Sequence, residues 1–130
     1  MKFVITSGGT AGHINPSLAL AEELTSRGHE VIFAGTPNRL ESKLVPDAGY
    51  KFKSFEATGF NRNKPLSIIK AMSSINKSTK KAQEWLNSEK PNAVIGFGSY
   101  VSIAVCRAAN KLGIPYIIHE QNSVMGMANK

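Results

Sequence analysis

An imidazole follows directly on a glycine-rich turn: Gly8-Gly9-Thr10-Ala11-Gly12-His13. Before the turn, Phe3-Val4-Ile5-Thr6 is a short apolar, partly β-branched run that predicts a buried strand. After it, Asn15 and Pro16 predict a helix start, as N-cap and first helical residue. A glycine turn between a strand and a helix offers backbone N–H groups at the positive end of the helix dipole, which suits a phosphate or another anion. The dinucleotide fingerprint G-x-G-x-x-G is incomplete, because Ser7 stands where its first glycine belongs while Gly9 and Gly12 fit the other two. A Walker loop is excluded as well, since His13 rather than Lys follows the last glycine. What remains is a turn that delivers an imidazole to the mouth of an anion site, suited to a phosphorylated or diphosphorylated substrate. An imidazole is a natural general base at neutral pH, and a helix start beside it disfavours the imidazolium. His13 is thus a candidate base, with shaping of the glycine turn as its structural alternative.

Two further groups of polar residues follow apolar runs. Gly96-Phe97-Gly98-Ser99-Tyr100 is a second glycine-rich turn opening a helix, and His119-Glu120-Gln121-Asn122 follows Tyr116-Ile117-Ile118. The elements that must position them alternate along the chain. Ile14, Leu18, Ala21 and Leu24 recur at helical spacing up to Gly28, and Val31-Ile32-Phe33-Ala34 predicts the second strand. A short helix over 39–45, a weaker strand over 52–55, a strand over 93–96, a helix over 100–112 ending at Gly113, and a strand over 116–118 complete the pattern. Strands alternating with helices predict the α/β class, a Rossmann-like, doubly wound parallel sheet whose ligand site lies at the carboxyl ends of the strands. The tip of strand two, Gly35-Thr36, carries no acid for a ribose, which argues against a nicotinamide dehydrogenase.

Residues 59–86 differ in character. Leu66, Ile69, Met72 and Ile75 or Ile68 follow helical spacing among Lys64, Lys70, Lys77, Lys80 and Lys81. The segment predicts a helix pair with its apolar face on the sheet, or a basic amphipathic surface for anionic lipid, with exposure expected around Ile68, Ile69, Met72 or Ile75.

The chain has 130 residues and a formal net charge of +7, enough for one domain with its own core and a basic surface. No zinc-finger, basic-zipper or aromatic-basic pattern supports nucleic acid as its partner. No apolar run approaches a membrane span, and Met1-Lys2 leads straight into a strand, so no signal peptide is expected. The one cysteine, Cys106, shares a helical apolar face with Val101, Val105, Ala108 and Leu112 and is expected to be a packed core thiol, consistent with a reducing cytosol. His29, in a helix-to-strand turn, reads as a surface residue, and His119 as structural.

Taken in order, GGTAGH, Asn15-Pro16, Gly96 to Ser102, Leu112-Gly113-Ile114-Pro115 and His119 to Asn122 closely resemble the MurG family of peptidoglycan glycosyltransferases over the whole chain. The resemblance implies the N-terminal, acceptor-side half of a GT-B enzyme, with the donor-binding C-terminal domain absent from 1–130. It implies transfer of N-acetylglucosamine from UDP-GlcNAc to lipid I, the undecaprenyl-pyrophosphoryl-muramoyl-pentapeptide, giving lipid II. It also implies a peripheral place on the cytoplasmic face of the bacterial membrane, at an anionic surface, with no metal and no cofactor. Carried over by position, His13 is the base; Thr10, Ala11, Gly12 and Asn122 contact the donor; Gly98, Ser99 and Tyr100 cradle the acceptor pyrophosphate. The sequence departs from the commonest family pattern at Ala11 and Ser99, where glycine is frequent. Three other readings remain open: a glycolipid synthase of the same fold, a non-catalytic membrane-recruiting subunit, and a small-ligand module without transfer activity.

Overall fold

The computed structural model describes residues 1–7, 11–37, 40–55, 65–97 and 100–119. Five short runs pair into one parallel sheet: β1 (Lys2–Ser7), β2 (Glu30–Gly35), β3 (Lys51–Ser54), β4 (Ala93–Phe97) and β5 (Tyr116–Ile118), in the order β3-β2-β1-β4-β5. The four connections each carry a helix: α1 (Ala11–Ser26), α2 (Leu40–Asp47), α3 (Pro65–Glu89) and α4 (Tyr100–Lys111). Central β1 alternates between two cores, as the two-residue period of a strand requires. Val4 joins Ala34 and Val94 beneath α3 and α4, with Ala82, Leu86, Val101 and Val105. Ile5 joins Phe33 and Phe97 on the other face, with Ala21 of α1 and Val45 of α2. The doubly wound arrangement is as predicted.

Several boundaries differ from the sequence reading. Helix α1 starts at Ala11, and Pro16 lies inside it. The proline ring keeps a helical φ but removes the N–H that would meet the Gly12 carbonyl and crowds that carbonyl, and burial of Ile14 and Ala21 carries the helix through. Helix α2 likewise runs past Val45 through Pro46 to Asp47. Strand β3 sits one residue earlier than expected, an ordinary end effect. The expected helix pair is one helix of 25 residues, since no glycine or proline interrupts 66–89. Gly28 and Gly113 end α1 and α4 at φ values of 86° and 74°, a left-handed turn that glycine adopts without strain.

The opposite, N-terminal edge of the sheet is tied by side chains. The Lys2 ammonium donates to the Glu89 carboxylate at 2.6 Å, and the Lys2 N–H donates to Asn92 Oδ1 at 2.8 Å. His29 is half-buried rather than a plain surface residue. Its ring meets Phe3 edge-on at 5.3 Å and its Nδ1 lies 3.1 Å from the N-terminal amine.

Candidate functional site

The strand order reverses between β1 and β4, and in open α/β sheets the crevice at such a switch point is where ligands bind. At the carboxyl ends of these two strands, Ser7 and Phe97 are register partners. The first glycine turn follows Ser7 in the chain and the second follows Phe97. The two turns therefore leave the sheet from neighbouring strands, about 4.8 Å apart. Pairing β4 with β1 is what brings these two strand ends together.

Thr10, Gly98, Ser99, Glu120 and Asn122 lie outside the described residues. The backbones of Ala11, Gly12 and His13 form the first turn of α1, and Tyr100 opens α4. The candidate base is thus part of the helix start itself, which comes five residues earlier than an N-cap at Asn15 with Pro16 as first helical residue would place it. The first-turn N–H groups of α1 and α4 have no intrahelical acceptors, and both helices start at the crevice end of the sheet.

Below the crevice, hydroxyls of β1, α1 and α4 stand where apolar side chains would otherwise pack. Thr6, Ser7, Ser17 and Ser102 are all buried. Toward α1, the Ser17 hydroxyl donates to the Ile14 carbonyl at 2.6 Å, so the Ser7 hydroxyl is the donor in the 3.1 Å contact between the two serines. Toward α4, Ser102 donates to the Thr6 carbonyl at 3.1 Å and lies 3.3 Å from Thr6 Oγ1. No buried side-chain nitrogen or oxygen among the described residues lacks a partner.

The tip of β2 is less empty of acid than its sequence indicates. Glu41, on α2, is fully buried and its Oε2 accepts the Thr36 N–H at 2.9 Å. Its Cγ would sit 2.7 Å from a Cβ placed on Gly35, so only glycine lets the side chain fold back over the strand end. The acid thus reaches the strand tip from the following helix, holding its turn. The signal for it in the sequence is slight: Glu41 shares a helix face with Val45, four residues on.

Of the remaining candidates, Cys106 is buried in the α3–α4 core, as expected, and burial pushes its thiol up to about 12. His119 is exposed at the end of β5, where its N–H donates to the Gly96 carbonyl at 2.7 Å and its ring meets Phe97 edge-on at 5.5 Å. Among the described residues no group of three or more His, Cys, Asp or Glu side chains gathers as metal ligands.

Known proteins give this geometry a family. The chain is 45% identical, along its whole length, to the UDP-N-acetylglucosamine--N-acetylmuramyl-(pentapeptide) pyrophosphoryl-undecaprenol N-acetylglucosamine transferase of Lactobacillus acidophilus. It is 44% identical to the transferase of the same name from Lactobacillus johnsonii. It spans 36% of the length of each. The crystal structure of Acinetobacter baumannii MurG superposes with a TM-score of 0.82 at 35% identity, covering 98% of this chain and 37% of that one. The glycosyltransferase of kitacinnamycin, at 19% identity and a TM-score of 0.72, shares the fold; the matches cover 92% of this chain and 30% of that one. Residues 3–130 match the glycosyltransferase family 28 N-terminal domain, and the chain belongs to that family, with the fold of a GT-B N-terminal domain.

Proposed function

We propose that the chain is the acceptor-side half of a hexosyltransferase that moves N-acetylglucosamine from UDP-GlcNAc to lipid I, forming lipid II. The observation that carries this reading is the pairing of Ser7 with Phe97, which brings two strand ends and the starts of α1 and α4 to one crevice, in a chain 45% identical to a transferase of that name. Donor binding rests mainly with a second domain beyond 1–130, with Thr10, Ala11, Gly12 and Asn122 meeting the donor across the cleft. Gly98, Ser99 and Tyr100 hold the acceptor pyrophosphate at the start of α4, where backbone N–H groups and the helix dipole favour anions. His13 takes the proton of the acceptor hydroxyl as that oxygen bonds to the anomeric carbon of the donor sugar. The bond from that carbon to the diphosphate breaks, and UDP leaves with the electron pair.

The acceptor carries a polyprenyl tail, so the reading includes peripheral attachment to an anionic membrane surface. No helix among the described residues is long and apolar enough to cross a membrane. Support comes from α3. It is about 37 Å long against about 20 Å for β1, and its last residue, Glu89, is tied to Lys2 at the opposite edge of the sheet. Its first half therefore overhangs the crevice end, with Ile69 66% and Met72 61% exposed; Lys77, farther along the helix, is exposed as well. Lys64 lies outside the described residues.

In the full-length protein, His13→Ala is expected to lower kcat by about 10²–10⁴-fold with donor affinity nearly unchanged. Near-normal turnover would leave His13 a turn-shaping residue. The 1–130 chain alone is expected to melt cooperatively and to form no product from UDP-GlcNAc and a lipid I analogue. Turnover by this chain alone would remove the second domain from the donor site.

A further inference from the structure

We propose that Ser102 is a positioning residue that sets the start of α4 against the end of β1; the inference rests on the functional reading above. Ser102 lies two residues after Tyr100 and is buried where α4 crosses β1 and β4. Its hydroxyl donates to the Thr6 carbonyl at 3.1 Å, and Thr6 Oγ1 lies 3.3 Å away. Thr6 stands one residue before Ser7, from which the first turn departs. One hydroxyl therefore links the stem of the first turn to the helix that opens from the second.

The neighbouring strand is shaped for this contact. A Cβ on Gly96 would lie 3.1 Å from Cys106 Sγ and 3.4 Å from Ser102 Cβ, so the absent side chain lets α4 descend onto the sheet. Gly96 is itself the register partner of Thr6. Apolar packing alone resists sliding of a helix along a sheet weakly, whereas a buried hydrogen bond has one satisfactory register. Ser102 supplies that register at the first turn of α4, next to Tyr100. On the α1 side, the bond from Ser7 to Ser17 plays the corresponding part for the turn that carries His13.

The test uses the full-length protein with Ser102→Ala, Ser102→Thr and Thr6→Val. A substrate held about 1 Å out of place loses up to about 10²-fold, so Ser102→Ala is expected to raise the KM for a lipid I analogue about tenfold, with the KM for UDP-GlcNAc within about twofold. Ser102→Thr keeps the hydroxyl and should restore the acceptor KM. Thr6→Val keeps the carbonyl acceptor and should shift it less than Ser102→Ala. Hydrogen exchange at the amides of 104–106, whose helical acceptors are the carbonyls of 100–102, should be faster in Ser102→Ala. Unchanged KM values, or equal rises for both substrates, would overturn the assignment. Should the wild-type protein transfer no sugar, the functional reading fails by itself, and exchange decides the positioning role: unchanged rates at 104–106 overturn it.

Discussion

Along α3 one helical period runs through two environments. In its second half, Ser78, Thr79, Ala82 and Leu86 are buried, and Trp85 packs edge-on against Phe55 at 5.6 Å. In its first half, Ile69 and Met72 occupy the same kind of positions at the same spacing, yet both are largely exposed. Composition does not separate the two halves, since lysines punctuate both. The difference is what lies beneath. The sheet extends only about as far as six strand residues reach, and the tie between Glu89 and Lys2 fixes which end of the helix is left over. An apolar stripe in a sequence thus says that a face exists, and the tertiary structure says whether anything covers it.

The largest test of that contrast is stability. Leu86→Ala should cost about 2–5 kcal/mol in a denaturant titration, as expected for a buried leucine. Ile69→Ala and Met72→Ala should stay within about 0.5 kcal/mol, as expected for exposed sites. Equal losses at the three positions would break the comparison.

A second test asks what the exposed half does. Each lysine near an anionic bilayer adds about 1 kcal/mol. Lys64→Glu/Lys70→Glu should therefore weaken co-sedimentation with anionic liposomes at least tenfold while leaving the melting temperature in place. Binding should also weaken with added salt. Equal binding to neutral and anionic vesicles would remove the electrostatic part of the membrane reading.

The smallest effect concerns the buried half. Cys106 belongs to the same core cluster as Leu86. Its thiol ionises near 12 in the folded chain against 9.0 for the free group, because burial disfavours the thiolate. Below pH 9 both states keep the proton and stability is untouched. As pH rises from 9 toward 12 the unfolded state alone releases it, so stability falls, by about 1 kcal/mol at pH 10. A Cys106→Ala chain should lack that slope in pH-dependent denaturation. At neutral pH, thiol reagents should label Cys106 slowly in the wild type and in Ile69→Ala, and faster in Leu86→Ala.

Much of this was legible from local pattern. The strands β1, β2 and β4 were legible within a residue or so, because parallel strands buried on both faces need continuous apolar sequence, and the edge strands β3 and β5, largely exposed, fell within a residue as well. Gly28 and Gly113 marked two helix ends because few other residues enter a left-handed turn without strain. Prolines misled. Pro16 and Pro46 read as boundaries, but a proline excludes one hydrogen bond rather than a helix, and packing overrode it in both places. Where a helix pair was expected, α3 is one helix, since no glycine or proline breaks 66–89.

By itself, the sequence determined the class of the sheet, the two glycine turns with helices behind them, and a candidate base beside one of them. These are properties of neighbours in the chain, where spacing and residue type act over a few residues. Only the tertiary structure decided that β4 lies next to β1, which brings together strand ends ninety residues apart, Ser7 and Phe97. It also decided that Glu41 folds back to hold the tip of β2, and that Ser102 reaches the Thr6 carbonyl. Each is a contact across elements, set by strand order and by the absence of a side chain at Gly35 and Gly96. No local period encodes such a contact, because its partners meet only once the sheet has formed.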